Sequence, residues 1–430
     1  MHRLRALSDT LRASFFFLPA VTVVVAFVAG RLAVGVDVGK WVGDATVDSA
    51  RAVLATVASA TITFASISFS VSLLIMQQGS SQFSPRVIHG LTRDPFNRRV
   101  IAFVLATFTY CLVVLQRVRG PLTDDGEEVV PRFAVAAGLV LGVFAVLAVA
   151  AAIHHTSRQL DVSEILGGIV DEAVRALETP VIDELQRVET TTEPPSGTPS
   201  TVVRFTGDGW VRQIDRADLL GAATPGSVVR LETETGRYAI RSTALCTIWP
   251  AVPADRLDAV TDEIRGTVRL GPTRTMSEDS GYGIRQLVDV AIKALSPGVN
   301  DPTTAQDAIF HLGTVLAARL TSPPVTTGYE DEHGRRLLAP HAMTDDELAE
   351  LAVAELRRDA ADRPAVCVYL LEMIADVVDA ARSNGAASRV APFLEQARLL
   401  LAAAEAAGGL DHDRRRVRRS FEQRFGAWQE

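Results

Sequence analysis

The stretch FAVAAGLVLGVFAVLAVAAAI, Phe133–Ile153, decides the fold class of this 430-residue chain. It contains no charged side chain, and it has the length that an α-helix needs to cross roughly 30 Å of hydrocarbon. Three further apolar stretches precede it, at Ser14–Val34, Ala52–Met76 and Val100–Leu115, and no comparable stretch follows it. The sequence therefore predicts four transmembrane helices in the first third of the chain and a large water-soluble part after them.

The charged residues divide in the same way. Residues 1–155 contain 13 basic and 9 acidic residues, whereas residues 156–430 contain 30 basic and 42 acidic residues. An acidic soluble part argues against nucleic acid as its main partner and leaves the lipid bilayer as the predicted one. Only two of the 43 basic residues are lysines, Lys40 and Lys293, a bias typical of a GC-rich bacterial genome.

The arginines predict the orientation in the membrane, because basic loops resist translocation. The N-terminus and the loop after the second apolar stretch are basic. The loops around Asp37–Asp48 and Arg117–Arg132 contain most of the acidic residues of the first 155 positions. This pattern predicts a multi-pass protein of a bacterial inner (plasma) membrane with its N- and C-termini in the cytoplasm. In the alternative interpretation, Met1–Gly30 is a cleaved signal peptide, and three spans follow it.

Hydroxyl side chains interrupt the second apolar stretch. At about 100° per residue, four of them fall on one narrow stripe of a helix, which two glutamines continue at the predicted inner end. The residues of this candidate polar path are Ser59, Thr63, Ser66, Ser70, Gln77 and Gln78. Two readings stay open: the hydroxyls bond to carbonyls one turn earlier and allow tight packing, or the stripe faces water along a pathway.

The four apolar stretches contain no Asp, Glu, Lys or His. Ion-coupled transporters usually need an ionisable group at depth, so this composition argues against secondary transport and is compatible with a passive pore. Because four helices enclose little space, a pore predicts self-association of several copies. The pair Gly138 and Gly142 has the GxxxG spacing that lets helices approach closely.

The sequence after the fourth stretch predicts three further parts and hence an α+β membrane protein. A transmembrane domain over 1–155 is followed by a helical connector and linker over 156–200, which contains TTTEPPSGTPST. Short β-rich runs over 201–250 predict a small barrel or sandwich. Residues 251–430 have Ala and Leu at helical spacing and predict a mainly helical cytoplasmic bundle.

The densest polar pattern of the tail lies in GYGIRQLVDVAIKALSPGVNDPTTA, Gly281–Ala305. Charges recur at i, i+4 and i+8 on a predicted helix, which Pro297 ends, and Asp301 has the position of an N-cap for the next helix. The candidate cytoplasmic ligand or partner site comprises Arg285, Asp289, Lys293, Ser296, Asn300, Asp301, Thr303 and Thr304. The alternative reading is a well-capped corner that binds nothing.

Common signatures of catalysis are missing from the sequence. It contains no HExxH, GxSxG, P-loop or GxGxxG pattern, and its three cysteines form no CxxC pair. We therefore expect no catalytic residue, no metal and no cofactor, and we expect that the protein is not an enzyme.

Two blocks of the sequence resemble a known family. QQGSSQFSPRVIHGLTRD, Gln77–Asp94, and DVAIKALSPGVNDPTTA, Asp289–Ala305, are similar to the bacterial predicted membrane proteins catalogued as domain of unknown function 2254. The order of parts is similar too, including the run GWVRQID at Gly209–Asp215. Lys293 departs from the family pattern, in which an arginine is expected. The resemblance implies a fold and a topology and brings no activity with it.

Two functional hypotheses follow. The first is a homo-oligomeric, channel-like membrane protein whose second span lines a polar path, with a cytoplasmic domain that acts in assembly or regulation. The alternative is a membrane-anchored cytoplasmic scaffold or sensor, in which the spans tether the tail and the corner Asn300–Thr304 binds a ligand or partner.

Overall fold

The computed structural model describes residues 17–36, 46–82, 95–120, 129–158, 161–177, 186–187, 197–323, 328–341 and 343–426. The chain divides into two compact units, Met1–Glu164 and Ile165–Glu430. The N-terminus and most of the loops whose charges predict the orientation lie outside the described residues.

The described part of the first unit is built mainly of four apolar helices. They are α1 (Phe17–Ala33), α2 (Val47–Gln82), α3 (Pro95–Leu115) and α4 (Arg132–Arg158). Within the described residues, three segments are long and apolar enough to cross a membrane: Val47–Val71, Phe96–Leu115 and Arg132–His155. The described apolar part of α1, Leu18–Ala33, is shorter. The second, third and fourth expected spans thus have the required length and composition, and the first span, Ser14–Val34, stays a prediction.

Helices that are adjacent in sequence run in opposite directions. Arg51, at the start of α2, donates a hydrogen bond from Nη2 to the carbonyl of Val118, just past the end of α3, at 3.2 Å. The hydroxyl of Tyr110, late in α3, donates to the carbonyl of Ala134 at the start of α4, at 3.2 Å. Both bonds lie at the same end of the helices, which is the arrangement of an up-and-down bundle.

The two glycines of the GxxxG pair lie between α2 and α4. A Cβ at Gly138 would lie 2.9 Å from Cδ2 of Leu54, and one at Gly142 would lie 2.8 Å from Cγ1 of Val57. The pair therefore lets two helices of the same chain approach closely, as small residues do in membrane proteins.

The described residues of the second unit form two small sheets. Within the described residues its strands are β1 (Gln186–Arg187), β2 (Thr201–Arg204), β3 (Gly209–Ile214), β4 (Val228–Leu231), β5 (Tyr238–Ala239), β6 (Ala244–Trp249), β7 (Val268–Gly271), β8 (Gly328–Glu330) and β9 (Arg336–Leu338). One sheet has the order β1-β8-β9-β4-β6-β2, and the other has the order β5-β3-β7. Of the strand pairs, β4 with β9 is parallel and the rest are antiparallel.

The β-rich range 201–250 supplies β2 to β6, and strands outside this range complete both sheets. β9 pairs with β4, and β7 pairs with β3, so each covers an edge that would otherwise expose unpaired backbone groups. Two short helices, α6 (Arg216–Ala222) and α7 (Leu257–Gly266), share a core with the strands. Leu219 of α6, Ile264 of α7 and Leu337 of β9 are all fully buried there.

The other described elements of the second unit are mainly helices. Its helices are α5 (Val162–Leu177), α8 (Ser280–Leu295), α9 (Pro302–Thr321), α10 (Asp345–Ala360), α11 (Pro364–Ser383), α12 (Ala391–Ala406) and α13 (Asp411–Phe425). α9 packs between α8 and α11, and α10 packs against α8 and α12. The observed class is a mixed, helix-rich fold with small sheets, as the sequence predicts at this level.

We expect Gly142→Ala to lower the free energy of unfolding of the first unit by about 1–3 kcal/mol. The added Cβ would lie 2.8 Å from Cγ1 of Val57, a β-branched side chain that has little freedom to rotate away. The matched control is Gly167→Ala in α5, where a Cβ meets open space, and we expect it to be neutral or slightly stabilising. Thermal denaturation of the full-length protein in detergent measures both variants. Equal melting midpoints for Gly142→Ala and the parent protein would contradict the close approach of α2 and α4.

Candidate functional site

The candidate polar path lies on the outer face of α2. Ser59, Thr63, Ser66 and Ser70 are exposed in the single chain, and Gln77 is exposed as well. On the opposite side of the helix, Thr61 is only 2% exposed. The stripe therefore faces away from the other helices of its own chain. The side chain of Gln78 lies outside the described residues.

Three hydroxyls of this stripe are bonded to the backbone of their own helix. Thr63 donates to the carbonyl of Ser59 at 2.8 Å, Ser66 to that of Ile62 at 3.0 Å, and Ser70 to that of Ser66 at 3.0 Å. This geometry fits the interpretation in which the hydroxyls bond to carbonyls one turn earlier and allow tight packing. A hydroxyl that donates in this way keeps its oxygen lone pairs as acceptors, so the outer face of α2 presents oxygen acceptors.

Two members of the candidate cytoplasmic site form a clamp between helices. Arg285 of α8 donates from Nε to Oδ1 of Asp289 at 2.7 Å. Its terminal nitrogens donate to Oε1 and Oε2 of Glu355 in α10 at 2.6 Å and 2.9 Å. The hydrogen bonds to Glu355 raise the pKa of the Arg285 guanidinium above its usual range. A planar fork that is occupied on both sides fixes α8 against α10 and is not free for a ligand.

Asp301 is the N-cap of α9, with Pro302 at the first helical position, as the sequence predicts. Its Oδ1 accepts hydrogen bonds from the amides of Thr303 and Thr304, both at 3.1 Å, and its Oδ2 accepts one from the Thr304 hydroxyl at 2.6 Å. These bonds lower the pKa of Asp301, chiefly through the Thr304 side chain. The capping groups therefore satisfy one another at the start of the helix.

Pro297–Asn300 are exposed at the tip of the corner, and Pro302 and Thr303 are exposed at the start of α9. The hydroxyl of Ser296 donates to the carbonyl of Lys293 at 2.6 Å and closes α8. Asn300 has a φ of 50°, in the left-handed region that few residues other than glycine adopt, and its side chain is exposed. Val299 beside it is 39% exposed. Val299 and Asn300 are therefore accessible to a partner, as is Thr303 of the cap.

Sequence reasoning missed an ionic network near the start of α6. Nη2 of Arg216 lies 3.4 Å from both carboxylate oxygens of Glu234. Burial raises the pKa of Glu234, which Arg216 and His341 partly offset, and burial also raises the pKa of Glu278. Nε of Arg216 is buried and has no hydrogen-bond partner among the described residues. Perturbed carboxylates of this kind occur in functional sites and in structural networks alike.

No local sequence pattern could have revealed this network. Its members come from four separate segments, and each of them stands in an ordinary polar context in the sequence. Only the tertiary fold brings the four together.

The described residues contain no group of three or more His, Cys, Asp or Glu side chains that could hold a metal ion. The three cysteines of the chain, Cys111, Cys246 and Cys367, are free and buried. Burial raises the pKa of the Cys246 and Cys367 thiols to about 12, so both are protonated at neutral pH.

Comparison with known proteins identifies a family of predicted membrane proteins, whose description states no activity. The model of a family described as predicted membrane protein (DUF2254) matches residues 12–376. Uncharacterized proteins of Mycobacterium bovis and of two strains of Mycobacterium tuberculosis are each 28% identical over 400 residues, which span 88% of this chain and 74% of theirs. No solved structure matches the chain.

We expect Asp301→Ala to destabilise the start of α9 by about 1 kcal/mol, because it removes the acceptors of the cap. Asp301→Asn is the matched control and should cost much less, since asparagine is an equally good N-cap. Hydrogen exchange at the amides of Thr303 and Thr304 in the full-length protein measures the difference.

The effect of Asp301→Ala should depend on pH. The folded pKa of Asp301 is lowered, so its contribution is complete above the unfolded pKa of aspartate and is lost as the pH falls through the folded value. The difference in exchange between the parent protein and Asp301→Ala should therefore shrink in acid. A difference that grew on acidification would contradict the charged cap.

Proposed function

This chain belongs to the family of predicted membrane proteins catalogued as domain of unknown function 2254, and we propose that it is a homo-oligomeric, channel-like protein of the bacterial plasma membrane. In this proposal the polar path runs between copies of the chain and is lined by the outer face of α2. The N- and C-termini lie in the cytoplasm, and the acidic soluble part acts in assembly or regulation. We assign it no catalytic role and no cofactor.

The observation that carries the proposal is the exposure of the hydroxyl stripe. Lipid-facing positions of a spanning helix are normally apolar, whereas Ser59, Thr63, Ser66 and Ser70 lie on the outer face of α2. A neighbouring copy, or water between copies, would give these oxygens polar surroundings that hydrocarbon does not provide.

The packing inside the first unit favours a path between copies over a path through one chain. Leu54 and Val57 of α2 pack closely against the two glycines of α4 and leave no room for water at these two positions. The groups that face outward are oxygen acceptors, and rings of oxygen acceptors replace the hydration shell of cations. We therefore expect the path to favour cations over anions.

Ser66→Leu combined with Ser70→Leu should reduce cation flux into liposomes by about tenfold or more, because apolar side chains would replace the acceptors that line the path. The matched control is Thr109→Leu in α3, whose hydroxyl donates to the carbonyl of Leu105 at 2.9 Å in the same way. The control should leave the flux unchanged. Absence of flux in the parent protein, or flux that is indifferent to the double substitution, would refute the channel.

A second measurement tests the assembly on which the path depends. Light scattering of the detergent-solubilised protein should give a mass of several copies. A monomeric mass would refute a path between copies even if vesicles containing the protein were leaky.

The exposed tip of the α8–α9 corner favours a second candidate function, a membrane-anchored scaffold or sensor. The amide of Asn300 points out of a backbone held at a φ of 50°, and the neighbouring Val299 adds an exposed apolar side chain. Polar and apolar groups presented together on a fixed turn are typical of recognition loops.

Asn300→Gly should abolish the capture of a partner by the full-length protein if this tip is the binding site. Glycine keeps the left-handed backbone and removes only the amide side chain, so loss of binding would report on recognition rather than on folding. Asn384→Gly, at the end of α11, is the matched control. Affinity isolation of cross-linked complexes from membranes provides the measurement, and capture that survives Asn300→Gly would exclude the tip.

A further inference from the structure

A groove of about 470 Å³ lies between α1 and α3 in the first unit. Alanines on both helices line it: Ala26 and Ala29 on α1, and Ala102 and Ala106 on α3. Facing positions that both carry a methyl group leave space that larger side chains would fill. Val25 and Ala29 are exposed beside it, so the groove opens on the outer surface of the helices.

The polar groups in the wall of the groove are already engaged. The hydroxyl of Thr22 donates to backbone carbonyls, including that of Ala102 at 3.2 Å. Thr107 donates to the carbonyl of Phe103 at 3.0 Å, and the Tyr110 hydroxyl donates to the carbonyl of Ala134 at 3.2 Å. Apart from Arg99 at one end, the described walls offer a polar ligand no free donor, so the groove suits a hydrocarbon chain.

Arg99 is the charged residue that lines the groove, and it lies at one end of it, one turn into α3. Its side chain is exposed, and no acidic group among the described residues pairs with it. A guanidinium presents a planar set of donors that matches a phosphate group. An arginine near the end of a spanning helix extends its head toward the lipid head groups.

We propose that the groove between α1 and α3 binds one acyl chain of an anionic phospholipid, whose phosphate group pairs with Arg99. The apolar walls select a lipid over a free phosphate ion, and the guanidinium selects an anionic lipid over a neutral one. The positive charge of Arg99 matches the phosphate group, and the apolar walls match the acyl chain.

The test uses the full-length protein taken from liposomes that contain equal amounts of phosphatidylglycerol and phosphatidylcholine. Native mass spectrometry should detect phosphatidylglycerol retained on the chain in about fivefold preference, the size expected for one arginine at an anionic lipid surface. Arg99→Gln should abolish the preference. Arg117→Gln removes the same charge from an exposed residue past the other end of α3 and should leave it unchanged.

A second pair of variants tests the groove itself. Ala29→Phe should fill the groove and reduce the amount of retained lipid at least fivefold, whereas Val143→Phe on the exposed face of α4 should not. Circular dichroism and the elution volume of each variant establish that it is folded.

Three outcomes would overturn the proposal. Equal retention of the two lipids by the parent protein would remove the role of Arg99. Loss of the preference in Arg99→Gln with full retention in Ala29→Phe would place the lipid outside the groove. Absence of retained lipid, together with loss of self-association in Ala29→Phe, would identify a second copy of the chain as the occupant.

Discussion

The scarcity of water around the first unit is the constraint on which its structure depends. In hydrocarbon, polar groups must find partners within the protein, and a helix satisfies its own backbone. The hydroxyls follow the same rule, because Thr61, Thr63, Ser66, Thr107 and Thr109 each donate to a carbonyl one turn earlier in their own helix. Helices whose hydroxyls are mostly bonded within the same helix can pack through small residues, and Gly138 and Gly142 determine which face of α2 is covered.

The covered face of α2 decides whether the hydroxyl stripe points into the chain or away from it. The sequence places Ser59, Thr63, Ser66 and Ser70 on one side of a helix through periodicity alone. Periodicity does not tell whether this side points into or away from the chain. The contacts of Leu54 and Val57 with the two glycines decide the question, and the stripe lies outside. A polar path lined by this stripe would therefore lie between several copies of the chain and not inside one copy.

Features fixed by neighbouring residues could be predicted from the sequence, and features fixed by distant ones could not. The cap at Asp301 and the strands β2 to β6 follow from local patterns and are present. The parallel pair of β4 with β9 joins segments about a hundred residues apart, and no alternation in either segment indicates the other. The Arg285 clamp shows both cases, since Asp289 stands one turn away whereas Glu355 comes from another helix. The carboxylate of Glu355 occupies the Arg285 guanidinium, so these residues connect α8 to α10 and do not offer a free ligand site.

The three cysteines have a practical consequence for this protein. Cys111, Cys246 and Cys367 are the whole thiol content of the chain, and each side chain is fully enclosed. A maleimide reagent added to the folded protein therefore finds no accessible native thiol. A cysteine introduced at an exposed position would be the accessible thiol of the chain. Its labelling in intact cells would then show on which side of the membrane that position lies. The native sequence is in this respect already suited to mapping which parts of the chain face each aqueous compartment.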